Sequence, residues 1–369
     1  MRLRYLLFAA LAACSTYEPP KPAPLPVLEH DEPVKAAWFT STAGADLYTF
    51  TPVVADGGIY TAARDGTVAR FSLRDGLSSW SVSSLQRLTG GPGSDGTLVA
   101  VANEEGEVLA LDAKDGKERW KARVSSEVLA APAVGGGVVV VRSIDNRVFA
   151  FNAADGKRRW LYQRPPASLI IRTPAGVVID GDTAYVAFAA GKLTAIALAN
   201  GAVRWEATVA LPKGATELER VTDVVGNPVV QGREVCAATY QGRVACYEAA
   251  NGRQLWAREV SSLTGVSADS RYAFVADENG TLLAFDRSDG RSVWKQDKLA
   301  NRQLSLPVPF GELVAVGDFE GYVHFLARDT GAFVARYATR GGPVRAAPIA
   351  APGGLIVQTQ DGSLQALVP

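Results

Sequence analysis

The chain has 369 residues, with 38 Lys+Arg against 38 Asp+Glu, 2 His, 3 Cys, 1 Met and 47% hydrophobic residues. So much apolar sequence can bury a sizeable core, which excludes a largely disordered chain, and zero formal charge gives no global field to hold a polyanion, so nucleic acid is not an expected partner. The shortage of His and Cys leaves little for zinc, haem, iron–sulfur or Cys/His nucleophile chemistry, whereas 36 Gly and 20 Pro predict many turns and short strands.

Residues 1–13 read as an export signal. Arg2 and Arg4 give the positive start, and the apolar stretch Tyr5 to Ala13 falls far short of the ~20 residues of a spanning helix. It ends in Leu11-Ala12-Ala13-Cys14, which looks like a bacterial lipobox and makes Cys14 the expected lipid attachment point. Ser15 follows, where Asp would resemble an inner-membrane retention signal; this favours the outer membrane of a Gram-negative cell. Several acyl chains hold stably where one holds weakly, so membrane contact is expected through the lipid anchor alone. Residues 14–33 carry Pro19, Pro20, Pro22, Pro24, Pro26 and Pro33, and are expected to form an extended tether.

From residue 34 onward the chain repeats. Its seven Trp, at 38, 80, 120, 160, 205, 256 and 294, recur with a period near forty, and the next step reaches Ala335. Seven turns of one kind lie just before a Trp position: Asp75-Gly76, Asp115-Gly116, Asp155-Gly156, Asn200-Gly201, Asn251-Gly252, Asp289-Gly290 and Thr330-Gly331. Eight of another kind run from Asp65-Gly66 to Asp361-Gly362. A Pro, or Gly265 in one case, precedes each of eight apolar first strands. The chain ends after the third strand of the eighth repeat, while the Trp38 segment precedes the first. The expectation is an all-β, eight-bladed β-propeller over 34–369, built from four-stranded antiparallel blades and closed by an N-terminal strand joining the last blade. A linear solenoid would leave both terminal strands unpaired. The recurring Trp is read as packing, since burying ~200 Å² of indole at ~25 cal/mol/Å² gives at most about 5 kcal/mol per blade.

Catalytic signatures are absent from the motifs: no Walker loop, paired metal-binding His or G-x-S-x-G elbow stands out, and no catalytic residue, metal ligand or cofactor is assigned. Cys236 and Cys246 flank the Gln241-Gly242 turn symmetrically, so they form either a cross-strand disulfide or two buried thiols; a one-residue slip in register decides between them.

Two connections break the symmetry of the ring. The insertion between Trp205 and Pro228 contains Pro212 to Asp223, partly charged and long enough to project. Just before blade four, Leu169-Ile170-Ile171-Arg172 places three large aliphatics in a connection that is polar elsewhere. Both join the last strand of one blade to the first strand of the next, so they share a face. An aliphatic cluster beside an Arg and an Asp suits a protein contact; the other reading is that the aliphatics simply begin a core strand early.

The lipobox, the Pro-rich tether, eight PQQ-type repeats, Ser168-Leu169-Ile170-Ile171-Arg172 and Glu217 through Pro228 together resemble the BamB family, propeller lipoproteins of the outer-membrane β-barrel assembly machinery. The resemblance covers essentially the whole chain. It implies a non-catalytic scaffold on the periplasmic face of the outer membrane, binding a POTRA domain of BamA and assisting unfolded outer-membrane protein clients. By position it assigns the partner contact to Leu169, Ile171, Arg172 and Asp223; a second acidic residue expected two places after Asp223 is Val225 here. The alternatives are an envelope lipoprotein binding another protein or a glycan, and a quinoprotein dehydrogenase. The enzymes of the latter group resemble longer chains with adjacent cysteines, which this sequence lacks.

Overall fold

The computed structural model describes residues 20–28, 32–85, 87–165 and 169–369. The export signal (1–13) and Cys14 lie outside the described residues. Eight four-stranded antiparallel sheets form the ring. Blades 1 to 7 span residues 53–83, 88–123, 133–163, 177–208, 224–259, 266–296 and 308–338. Blade 8 takes Ile349–Ala351, Gly354–Gln358 and Ser363–Val368 from the C-terminus and Lys35–Ser41 from the N-terminus, the latter pairing antiparallel with Ser363–Val368. The ring is thus closed by hydrogen bonds between the two ends of one chain.

Burial follows from the stacking of blades face to face. Middle strands are covered on both sides, and Leu98–Asn103 is buried at every position. Outer strands lie at the rim and alternate; in Glu118–Arg123 only Trp120 is buried.

The structure gives the repeated Trp a sharper role than filling its own blade, because each indole crosses to the next one. Trp120 Nε1 donates to the Ala153 carbonyl (2.8 Å), and the ring lies on Gly156 of the neighbouring turn. Gly156 has φ +69°, and a Cβ there would sit 2.7 Å from the indole, so this position needs glycine twice over. The same pairing joins Trp38 to Gly76 and Trp294 to Gly331. Blade 8 has no turn between its third and fourth strands, because those strands come from opposite ends of the chain. The residue that would meet such a turn is Ala335, which accounts for seven Trp in eight blades.

Two first strands run past their expected starts. Pro92 and Pro228 lie inside Leu88–Ser94 and Val224–Gln231 rather than before them. Both strands break register near the proline, where a missing N–H costs no ladder bond.

The described part of the tether is not free of the ring. Residues 20–28 lie along blades 6 and 7: Ala23 N–H donates to the Ala300 carbonyl (2.8 Å), and Asn301, Arg302 and Arg336 side chains donate to the carbonyls of Lys21, Ala23 and Pro26. Further on, Glu32 N–H donates to the Val334 carbonyl on the outer strand of blade 7. Extended Pro-rich backbone has no internal hydrogen bonds, so its carbonyls remain free to accept these donors.

Candidate partner-binding face

Because strands alternate in direction, the turns between second and third strands and the connections between blades emerge together on one face. The connections entering blades 4 and 5 carry the asymmetric segments, and the structure ties them to one another and to the connection entering blade 3. Leu169 to Thr173 form a loop, with the next strand starting only at Val177, so the aliphatics do not begin a core strand. Leu169 is 46% exposed, while Ile170 and Ile171 are half-buried over a narrow cleft that also holds Arg142 and Asp223.

Arg172 is exposed and makes a two-pronged ion pair with Glu127 of the preceding connection, Nη2 to Oε1 at 2.9 Å and Nη1 to Oε2 at 2.8 Å. Donating to the Glu127 carboxylate raises the Arg172 pKa. A paired fork of this kind fixes the guanidinium plane.

Asp223 sits differently from its neighbours on this face. It is buried, and its carboxylate accepts the N–H of Ile171 (Oδ2, 2.8 Å) and of Ala190 (Oδ1, 3.0 Å). Removal from water pushes its pKa up, opposed by those two N–H bonds and by Arg142. One carboxylate therefore pins the loop entering blade 4 to a turn of blade 4, from the connection entering blade 5. Val225, two places on, is also buried, so its side chain does not reach the face.

Arg142 lies under Ile171 and donates to the Ala175 carbonyl at 3.1 Å. Burial pushes its pKa down to about 10, so it stays charged at neutral pH and faces Asp223. The long insertion is exposed from Leu211 to Arg220 and presents Leu211 and Leu218, 64% and 69% exposed. Glu219 stabilises its tip by accepting the N–H groups of Ala215 and Thr216.

Four residues of this face are not assigned to it by the sequence. Leu211 and Leu218 were legible as apolar residues within a polar insertion. Glu127 and Arg142 gave no signal, the first lying in a connection of ordinary length and the second in a regular strand.

A family model described as "Outer membrane protein assembly factor BamB" matches residues 64–296, which include every residue of this face. The chain is 44% identical over 360 residues to the outer membrane protein assembly factor BamB of Bordetella pertussis, covering 96% of this chain and 93% of that protein. It belongs to the BamB family. The family protein of Burkholderia pseudomallei is 39% identical, covering 97% of this chain and 94% of that one. The crystal structure of BamB from Moraxella catarrhalis superposes with a TM-score of 0.80 at 26% identity, covering 89% of this chain and 99% of that chain.

Elsewhere, Cys236 and Cys246 stand directly opposite one another in blade 5 and are joined in a disulfide, both buried. Among the described residues, no group of three or more His, Cys, Asp or Glu is arranged to hold a metal.

Proposed function

We propose that the chain is a non-catalytic scaffold of outer-membrane protein assembly, anchored by lipid at Cys14 to the periplasmic face of the outer membrane, whose face at blades 3 to 5 binds a POTRA domain of BamA. The observation that carries this reading is the knitting of three successive connections, through Arg172–Glu127 and Asp223–Ile171, into one rigid surface with exposed Leu169 and Arg172. An apolar anchor beside an oriented cation on a preorganised loop has the form of a binding hot spot.

In this reading Leu169 and Arg172 touch the partner, while Ile171 and Asp223 hold the loop that presents them. Clients of the assembly machinery are unfolded outer-membrane proteins, and no cofactor takes part. A pull-down with isolated POTRA domains tests the assignment. The wild-type chain is expected to capture them and the Leu169→Asp, Arg172→Glu double variant to lose them. Capture by both would place the interface elsewhere, and capture by neither would favour a different envelope partner.

A further inference from the structure

The docked strap, residues 20–28, has a consequence for how the ring meets a membrane. Its keystone is Arg302, which is 2% exposed. Nε donates to the fully buried Asp318 at 2.8 Å, Nη2 pairs with Glu320, and the guanidinium lies over the Phe319 ring. Its remaining arm, Nη1, donates to the Ala23 carbonyl at 3.0 Å. The strap therefore completes the hydrogen bonding of a buried cation, and releasing it would leave that arm without its acceptor. Asn301 and Arg336 grip the chain on either side, and prolines limit the entropy lost on docking.

Lys21 docks on the connection between blades 6 and 7, so the described chain begins at that corner, on the same face as the candidate partner site and about two blades away. Lys21 lies seven residue steps from Cys14, a reach of at most ~25 Å; an undocked chain from Lys35 would reach about 70 Å. That corner and the adjacent connection between blades 7 and 8 carry exposed Lys21, Lys298, Arg340 and Arg345, none in an ion pair among the described residues, against exposed Asp297, Glu278, Glu320 and Asp361. On the opposite face some turn cations pair locally, as in Lys117–Asp115 and Lys157–Asp155, while Lys114 and Arg233 have no ion pair among the described residues.

We infer that the strap fixes the orientation of the ring on the bilayer, holding the blade 6–7 corner of the connection-bearing face against the lipid headgroups while the rest of that face stays open to partners. The inference rests on attachment at Cys14 but not on how that attachment is made in the cell. The experiment therefore couples the chain beginning at Cys14, through its thiol, to a maleimide lipid in vesicles of phosphatidylethanolamine and phosphatidylglycerol that contain a headgroup energy-transfer acceptor. A donor fluorophore is carried on an unnatural amino acid at position 298 or position 157. Transfer from 298 is expected to exceed that from 157 by threefold or more. Replacing residues 20–28 with a Gly/Ser segment of equal length, which leaves the closing strand Lys35–Ser41 in place, is expected to abolish the difference. Equal transfer from both positions in the native chain, or a difference that survives the replacement, would overturn the inference. The mass of the N-terminal peptide from the native host tests lipidation itself, so the two readings can fail separately.

Discussion

At the scale of single residues, the Trp–Gly contact between blades and the Asp223 clasp do different work, and each makes its own prediction. Trp120→Ala removes a buried indole that bridges two blades and is expected to cost about 3–5 kcal/mol in denaturant unfolding. Gly156→Ala forces a left-handed backbone that costs roughly 1–3 kcal/mol before its Cβ meets the indole, so it should destabilise although it deletes nothing. Asp223→Ala would leave the Ile171 and Ala190 N–H groups unpaired. Faster hydrogen exchange confined to residues 169–173 and 190–191, with little change in global unfolding, is the expected outcome. The sequence singled out Asp223 but could not show which way its side chain turns. That direction depends on an N–H group 52 residues away in the chain.

His324 supplies the pH dependence. Its ring is fully buried, with Nε2 2.9 Å from Asp318 Oδ2 and Arg302 and Arg336 nearby. Burial holds its pKa below the usual value, outweighing the pull of Asp318. The unfolded chain therefore takes up a proton at a pH where the folded chain does not, and stability is lost as pH falls below about 6.5 toward the folded value. Burial would raise Asp318, but hydrogen bonds from His324 and the Tyr322 N–H, with Arg302, hold it low, so its own contribution is lost only in more acid solution. The thermal midpoint is expected to fall between pH 7.5 and 5, and His324→Gln should flatten that slope.

At the scale of elements, the legible parts of the sequence were those governed by local chemistry. Asp-Gly and Asn-Gly pairs mark turns because Gly accepts positive φ, so strand number and order could be counted before any contact was known. The first strands were less legible. Pro92 and Pro228 mark strand starts in a local reading, yet the strands continue through them because the first strand of a blade pairs on one side only and tolerates register breaks. The cysteine pair shows the same limit, since both arrangements fit the turn and only the register of blade 5 separates them. With Cys236 opposite Cys246 the disulfide closes a short hairpin loop, and reducing it is expected to cost about 2–3 kcal/mol. Unfolding curves recorded with and without reductant measure this. Composition reads the tether as an extended spacer. Its docking depends on Arg302 and Arg336, some 300 residues further on, which no local pattern connects to it.

At the scale of the whole molecule, closure joins the two ends of the chain, and the candidate face draws on three successive connections. A chain beginning at residue 42 would lack the closing strand, expose the edge of Ser363–Val368 and leave Gly76 without Trp38. It is expected to self-associate in light scattering, whereas a chain beginning at residue 34 stays monomeric. The central claim is that the ring works by presenting Leu169 and Arg172 on a surface braced by Glu127 and Asp223. Titration calorimetry of an isolated BamA POTRA domain into the wild-type chain and into Arg172→Glu tests it most directly. The charge reversal is expected to weaken binding by about 2 kcal/mol, roughly thirtyfold, and to lower stability as well, because the nearly buried Glu127 loses its partner. Equal affinity for the two chains would contradict the account.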